Sequence, residues 1–190
     1  MNLAAAVIAG GQSKRMGREK ALLPVHGFEH LLARQIETLK LINPGELLLS
    51  CRKEQFQFEL DGVRKVYDDG QHGPLGGLEA LLRSSRSEFV FVLAVDLPQI
   101  SGALIRKIAS KAEALGGAGV VPRDGEKIES LVAVYPTAML GMAQGRLKKT
   151  TDHSMQSLVR EAAKLGFLNW YEIQKHERPE FSNWNHPRPA

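Results

Sequence analysis

The chain has 190 residues, a formal net charge of +4 and a sequence pI near 9.3. This length suits one domain with a substantial core, the apolar runs are far too short to span a bilayer, and the single cysteine, Cys51, cannot form an intrachain disulfide. The first apolar run has no basic leader before it. We therefore expect one domain over residues 1–190, located in the cytoplasm and not in a membrane.

The positive charge does not by itself indicate nucleic-acid binding. The basic residues are spread along the whole chain, and aromatic residues make up only 6% of it, whereas nucleic-acid-binding surfaces concentrate basic and aromatic side chains. A small acidic ligand such as a nucleoside triphosphate explains the positive net charge equally well, because positive potential around a cleft attracts such a ligand. We expect a small-molecule ligand and no nucleic acid.

Apolar runs of strand length alternate with helix-like segments along the chain. The predicted strands are residues 3–8, 46–50, 64–66, 89–95, 119–122, 130–135 and 167–173. The predicted helices are residues 30–40, 76–83, 101–115, 136–146 and 151–165. The tail from residue 176 carries three prolines, which favours irregular chain.

Two of these strands, residues 3–8 and 89–95, are apolar without alternation, which is typical of strands covered on both faces. The sequence therefore predicts an α/β fold with three layers, α/β/α, around a doubly wound, mainly parallel sheet. The turn at residues 123–126 is short enough for a β-hairpin, which would add an antiparallel element.

The first predicted strand is followed directly by a glycine-rich basic segment, AGGQSKRMGREK at residues 9–20. Glycines let backbone N–H groups approach phosphate oxygens closely, and the lysines and arginines of the segment supply positive charge. The spacing is neither that of a Walker A loop nor that of a dinucleotide-binding loop. It predicts a phosphate-binding loop of another type, with a flexible basic turn as the alternative.

Polar residues after later strands complete the candidate site, because ligands of open α/β sheets bind outside the carboxyl ends of the strands. Asp96 follows the most apolar strand, and since Ser101 is better placed to cap the next helix, Asp96 is free to hold Mg²⁺. The alternative is a plain turn aspartate. The stretch DDGQHGPLGG at residues 68–77 follows another strand and opens a helix at Gly76, although it is also an ordinary turn sequence.

The string IAGGQSKRMGREKALLPVHG at residues 8–27 resembles LAGGxSxRMGxxKxLLPxxG, the signature of nucleotidyltransferases that activate sugars and cofactors. It is most similar to that of the molybdenum cofactor guanylyltransferases. The resemblance implies a Rossmann-like nucleotidyltransferase fold, GTP and molybdopterin as substrates, and Mg²⁺ as cofactor. It also leaves room for partner proteins that deliver or accept the cofactor.

The resemblance implies functional roles for the residues of this chain that match the family's motifs. It implies catalytic roles for Arg15, Lys20 and Asp96, with Asp96 as the metal ligand. The implied nucleotide-binding positions are Ile8, Ala9, Gly10, Gly11, Ser13, Arg15, Gly17, Lys20, Ser50, Asp69, Gly73, Pro74, Gly76 and Asp96.

The acceptor side matches the family less well. Lys148 and Lys149 resemble a basic pair of the family, and Asn183 and Asn185 resemble the asparagines of its F-x-N-x-N-T-P stretch. His186 stands where that stretch has threonine, and residues 127–131 replace an arginine and a proline of the relatives. We expect a nucleotide-binding half over about residues 1–100 and an acceptor-binding half over about residues 101–190.

The implied reaction is attack of an acceptor phosphate on the α-phosphorus of GTP, which gives a dinucleotide and pyrophosphate. The phosphate loop does not read the base, so a CTP-dependent transferase, or one with another phosphorylated acceptor, is an alternative. A non-catalytic nucleotide-binding adaptor is a further alternative. Retention of Lys20 and Asp96 argues against the adaptor, since an interaction domain gains little from a metal-binding carboxylate.

Overall fold

The computed structural model describes residues 1–9, 19–68, 71–149 and 152–184, apart from the side chain of Lys149. Its strands are β1 Leu3–Ile8, β2 Glu46–Cys51, β3 Val63–Tyr67, β4 Phe89–Ala94, β5 Gly119–Asp124, β6 Lys127–Ile128, β7 Val132–Pro136 and β8 Leu168–Glu172. Its α-helices are α1 Leu31–Lys40, α2 Gly73–Ser84, α3 Gly102–Leu115, α4 Leu140–Lys149 and α5 Met155–Lys164.

The strands form one mixed sheet in the order β3-β2-β1-β4-β7-β5-β6, with β8 paired to β5. The β3, β2, β1 and β4 strands are mutually parallel, and so are β5 and β8. The β7 strand lies antiparallel between β4 and β5. The predicted doubly wound, mainly parallel sheet is confirmed, and so is the antiparallel element after β5.

Helices cover both faces of this sheet. Along β1, Ala5 and Val7 enter one apolar cluster with α1 and α3, while Ala4, Ala6 and Ile8 enter a second cluster with α2, α4 and α5. Because successive strand residues point to opposite faces, an all-apolar strand buries both sets. This confirms the three-layer α/β/α arrangement.

Some boundaries differ from those predicted. Helix α2 begins at Gly73 instead of Gly76, and Pro74 fits its first turn because proline has the φ angle of a helix and the first N–H groups need no intrahelical partner. The C-terminal segment contains a 3-10 turn, Arg178–Phe181, which is packed on the core through the buried Phe181. Among the described helices, none combines the length and apolar character needed to cross a membrane.

Candidate active site

The carboxyl ends of β2, β1 and β4 lie side by side at one edge of the sheet. Ile8 is in register with Ser50 of β2 and with Ala94 of β4. The pairing continues for one more residue, since the Ala9 N–H donates to the Ser50 carbonyl at 3.0 Å and the Val95 N–H donates to the Ile8 carbonyl at 3.1 Å. This edge is where an open α/β sheet binds its ligand.

Asp96 and Lys20 interact electrostatically at this edge. Asp96 lies in the turn after β4 and is partly buried. Burial raises the pKa of its carboxyl above the usual range, and the positive charge of Lys20 opposes that rise. Ser101 caps α3, because its Oγ accepts a hydrogen bond from the Leu104 N–H at 3.2 Å. Asp96 is therefore not needed as the cap, as predicted.

The backbone of Lys20 is fixed by the core. Lys20 begins a short 3-10 turn, Lys20–Leu22, which closes when the Leu23 N–H donates to the Lys20 carbonyl at 3.1 Å. Within the turn, Ala21 is only 2% exposed. The Leu31 N–H then donates to the Leu23 carbonyl at 2.9 Å, which ties the segment to the start of α1. The position of Lys20 thus follows from contacts with well-packed elements.

A buried polar pair lies beside these groups. Ser50 is fully buried, and its hydroxyl donates a hydrogen bond to Asp68 Oδ2 at 2.9 Å. Gly77 of α2 lies against this pair so closely that a Cβ there would be 2.9 Å from Ser50 Oγ and 3.5 Å from Asp68 Oδ2. Ser50, predicted to contact the base, therefore donates its one hydroxyl proton to Asp68, so it joins β2 to the end of β3 and packs against α2.

The N-terminus of α2 faces the same region of the molecule. Gly73, Pro74 and Gly76, which we predicted as a nucleotide-binding loop, form its first turn. The first turn of a helix carries N–H groups without intrahelical partners and a partial positive charge, which favour a bound anion. The ring of His72 contacts that of His153, with centroids 4.8 Å apart, so the connection between α4 and α5 lies beside this helix end.

The C-terminal segment also reaches the site. The Trp184 N–H donates to the Asp96 carbonyl at 2.8 Å. A second tie is made by Glu180, whose Oε2 accepts the Ser101 N–H at 2.8 Å. Asn183, a predicted acceptor-binding residue, is exposed next to Trp184 and is therefore held near Asp96.

A cleft of about 480 Å³ lies next to Asp68 and the end of β2. Its walls are formed by Glu19, Arg52, Lys53, Glu54, Gln55 and Asp68. The cleft therefore adjoins both the end of β2 and the segment that leads into Lys20.

Several predicted residues lie outside the described part of the chain. They are Gly10, Gly11, Ser13, Arg15, Gly17, Asp69 and Asn185, together with the side chain of Lys149. Lys148 is exposed near the C-terminal end of α4. For these residues the proposed roles stay predictions.

The structure also identifies residues that the sequence analysis did not select. Asp68 stands next to the predicted Asp69 at the end of β3 and holds Ser50. Gly77 was noted only as part of a turn sequence, and Trp184 only as part of a family stretch. For Asp68, the available signal was its place directly after a strand, the same signal that pointed to Asp96.

Asp96 offers a carboxylate oxygen at this edge, the kind of donor that Mg²⁺ prefers. Within these residues, no three or more His, Cys, Asp or Glu side chains are grouped so that they could hold a metal ion by themselves. Cys51 is buried, and burial, helped by the charge of Asp68, raises the pKa of its thiol to about 11. The thiol therefore stays protonated at neutral pH and is a poor metal ligand.

A parallel sheet edge with a lysine, a carboxylate and a helix N-terminus fits a nucleotidyltransferase, because lysines and helix N-termini bind phosphate groups. Comparison with known proteins agrees. The model of the MobA-like NTP transferase domain family matches residues 5–165, and the chain belongs to this family.

Individual proteins extend the match over nearly the whole chain. A protein of Opitutus terrae named "Probable molybdenum cofactor guanylyltransferase" is 34% identical, and the match covers 97% of this chain and 91% of that protein. A nucleotidyl transferase structure from Methanothermobacter has a TM-score of 0.76 at 19% identity and covers 97% of this chain and 92% of its own. A structure of a Mycobacterium tuberculosis protein in complex with manganese has a TM-score of 0.65 at 18% identity, covering 91% and 88%. The two structures show that the fold is shared.

Proposed function

We propose that this chain transfers GMP from GTP to the phosphate of molybdopterin, forming the guanine dinucleotide of the cofactor and pyrophosphate. The name of the Opitutus relative, together with its identity and coverage, supports this activity and substrate pair. The observation that supports the proposal most directly is the electrostatic interaction of Lys20 with Asp96 at the sheet edge, since a cation and a carboxylate within range of each other can serve one phosphorylated ligand.

In this reaction, an oxygen of the acceptor phosphate forms a bond to the α-phosphorus of GTP, and the bond from that phosphorus to the bridging oxygen of pyrophosphate breaks. The acceptor oxygen is already charged, so no nucleophile of the protein is needed. Catalysis then consists of alignment and of stabilising negative charge in the transition state and on the leaving group. We assign the stabilisation of this negative charge to Lys20 and to Arg15, which lies outside the described residues.

The N-terminus of α2 has a second role in the proposal. The partial positive charge of this helix end favours an anionic part of the nucleotide, and the exposed Gly73 offers a backbone N–H there, whereas Pro74 has none. The pair of Ser50 and Asp68 packs closely against Gly77 of α2. We therefore assign Ser50 a supporting role within the predicted nucleotide site.

We further propose that Asp96 binds a divalent cation, with Mg²⁺ as the physiological ion. Asp96 is a hard oxygen donor, and the absence of a complete metal cage among the described residues fits Mg²⁺, which commonly takes one or two carboxylates together with phosphates and water. When bound, such a cation would neutralise charge on the phosphate oxygens. The manganese complex of the structural neighbour from Mycobacterium is consistent with a divalent cation in this fold.

The acceptor would bind on the other half of the chain, over about residues 101–190. Asn183 is the described candidate nearest to Asp96, through the hydrogen bond of Trp184. Lys148, Lys149 and Asn185 complete the proposed set. Proteins that deliver the cofactor, and the cytoplasmic location, stay predictions.

The test is to incubate the protein with Mg²⁺, molybdopterin and each nucleoside triphosphate separately, and to measure pyrophosphate. Release with GTP supports the proposal, release with CTP alone identifies a cytidylyltransferase, and no release with any nucleotide supports the adaptor. Asp96→Ala is expected to stay folded and to release no pyrophosphate. Asp61→Ala is the matched control, since Asp61 is an exposed aspartate in the turn before β3 and its loss should leave turnover largely unchanged.

A further inference from the structure

Gln55 joins the two ends of the segment at residues 10–18. Its side-chain amide donates to the carbonyl of Ala9, directly before that segment, at 2.9 Å. The same amide nitrogen donates to Oε2 of Glu19, directly after the segment, at 2.8 Å. One side chain thus bridges two points that are ten positions apart along the chain.

The other groups around Gln55 complete this arrangement. Oε1 of Gln55 accepts the Arg52 N–H at 3.1 Å, and the Gln55 N–H donates to the Arg52 carbonyl at 3.1 Å, so a closed turn orients the side chain. The guanidinium of Arg52 donates to Oε1 of Glu19 at 2.9 Å. Both carboxylate oxygens of Glu19 are therefore held, one by Arg52 and one by Gln55.

We propose that Gln55, supported by Arg52 and acting on Glu19, is a positioning residue that fixes both ends of the phosphate loop and thereby places Lys20. This inference rests on the proposed function, because it assumes that residues 10–18 bind the triphosphate. Gln55 itself does not need to touch the nucleotide.

The position of Lys20 in the chain explains how the effect is transmitted. Lys20 directly follows Glu19, and it interacts electrostatically with Asp96. On its C-terminal side, Lys20 is held by the contacts of its 3-10 turn with the core. On its N-terminal side, it is held through Glu19, which Gln55 and Arg52 bind. Errors of about 1 Å in a catalytic group lower the rate substantially, so loss of the contacts to Glu19 should reduce turnover.

Hydrogen bonds to a carboxylate are among the stronger ones, because the acceptor carries a charge. Glu19 and Arg52 are partly exposed, at 28% and 41% of their side-chain surface, so water reduces these contributions. The bond from Gln55 to the Ala9 carbonyl is between neutral groups and is partly buried. Together they are sufficient to hold two chain ends without dominating the stability of the whole protein.

The first experiment measures the loop ends directly, without any substrate. Lys14, Arg15 and Arg18 are cleavage sites for trypsin within the segment. Gln55→Ala should accelerate cleavage at these sites about tenfold, the factor that corresponds to about 1.4 kcal/mol of lost holding energy. Gln57→Ala is the matched control, because Gln57 is exposed on the same short segment and should leave the rate unchanged. Equal cleavage rates in Gln55→Ala and wild type would overturn the proposal.

The second experiment separates positioning from a purely structural role. Gln55→Ala should raise the KM for GTP and lower kcat, with a melting temperature close to that of wild type. In Gln55→Glu, the new carboxylate faces that of Glu19 and repels it, so the loss of activity should be larger than in Gln55→Ala. In the double exchange Glu19→Gln with Gln55→Glu, residue 19 becomes the donor to residue 55, but the carboxylate at position 55 cannot donate to the Ala9 carbonyl, so any recovery relative to Gln55→Glu should be small. A lower melting temperature with unchanged KM and kcat in Gln55→Ala would refute positioning.

The two experiments also distinguish failure of this inference from failure of the proposed function. If wild type shows no transferase activity but Gln55→Ala is cleaved faster, the bridge is real and the assigned reaction is wrong. If wild type is active with GTP and Gln55→Ala behaves like Gln57→Ala in both assays, the reaction stands and the role of Gln55 is refuted.

Discussion

Replacement of Gly77 by alanine should destabilise this protein, although alanine normally stabilises a helix. Gly77 lies inside α2, where alanine is favoured over glycine by about 1 kcal/mol. The new Cβ would, however, lie 2.9 Å from Ser50 Oγ, which is closer than van der Waals contact allows. Ser50 cannot retreat easily because it is fully buried and bound to Asp68.

The expected size follows from these terms. Overpacking of a close-packed site costs about 1–3 kcal/mol, and loss of the hydrogen bond between Ser50 and Asp68 costs about 1 kcal/mol more. After the gain of about 1 kcal/mol in helix propensity, the net loss is about 1–3 kcal/mol. In a protein of this length, each kcal/mol shifts the melting temperature by about 2–4 °C.

Thermal and urea unfolding measure this difference against a matched helical glycine. Gly145 lies within α4, and a Cβ there would meet no atom within 4 Å, so Gly145→Ala should stabilise the protein by up to about 1 kcal/mol. In a Ser50→Ala background the closest contacts of a Cβ at position 77 are ordinary ones at 3.5 Å, so Gly77→Ala should become neutral or stabilising there. The reasoning is refuted if Gly77→Ala stabilises the wild-type protein as Gly145→Ala does.

Three further predictions concern charged groups. Burial raises the folded-state pKa of Asp96, so the ionised form of this carboxyl opposes folding. Asp96→Asn should therefore raise the free energy of unfolding at neutral pH by about 0.5–2 kcal/mol. Urea unfolding at several pH values should show that this gain vanishes below the usual aspartate pKa. Lys20→Met removes the charge that opposes this rise, so the pKa of Asp96 should increase further, and an unchanged carboxyl titration by NMR would show that the two residues do not interact. Glu177 is 1% exposed; burial alone would raise its pKa, but hydrogen bonds, including one from Lys107 at 2.8 Å, outweigh burial and lower it. The stabilisation that ionised Glu177 gives to the folded state is therefore present above the usual glutamate pKa and is lost as the pH falls. Glu177→Gln should lower the free energy of unfolding by about 1–3 kcal/mol at pH 7 and by little at acid pH, which urea unfolding at both pH values measures.

The general architecture could be read from the sequence because it depends on local patterns. The uninterrupted apolar run of β4 indicated a strand buried on both faces, and the turn at residues 123–126 indicated a hairpin between the predicted strands 119–122 and 130–135, whose counterparts β5 and β7 pair antiparallel. The short strand β6 and the pairing of β7 with β4 could not be read in the same way. They depend on which segments meet across the sheet, and the sequence analysis identified only the pairing of β7 with β5.

The candidate site was predictable where it consists of residues at strand ends. Asp96 stands directly after an apolar strand, and Ser101 follows at the position of a helix cap, so both could be identified from sequence. The contact of Gly77 with Ser50 and Asp68 could not. It joins three elements that are separated along the chain, and only the packing of α2 on the sheet brings them together.

The two charged groups of the site are both supported by distant segments of the chain. Asp96 receives a hydrogen bond at its carbonyl from Trp184, near the end of the described chain, and Glu19 next to Lys20 is held by Gln55, after β2. Neither support touches the reacting groups, and neither has a sequence pattern that marks it as functional. Because burial penalises the charged form of Asp96, a small displacement of Lys20 changes the protonation of Asp96 as well as the position of the lysine. Substitutions at these supports should therefore alter the pH dependence of turnover together with its rate, whereas substitutions that only weaken the fold should lower the amount of active protein and leave its pH profile unchanged.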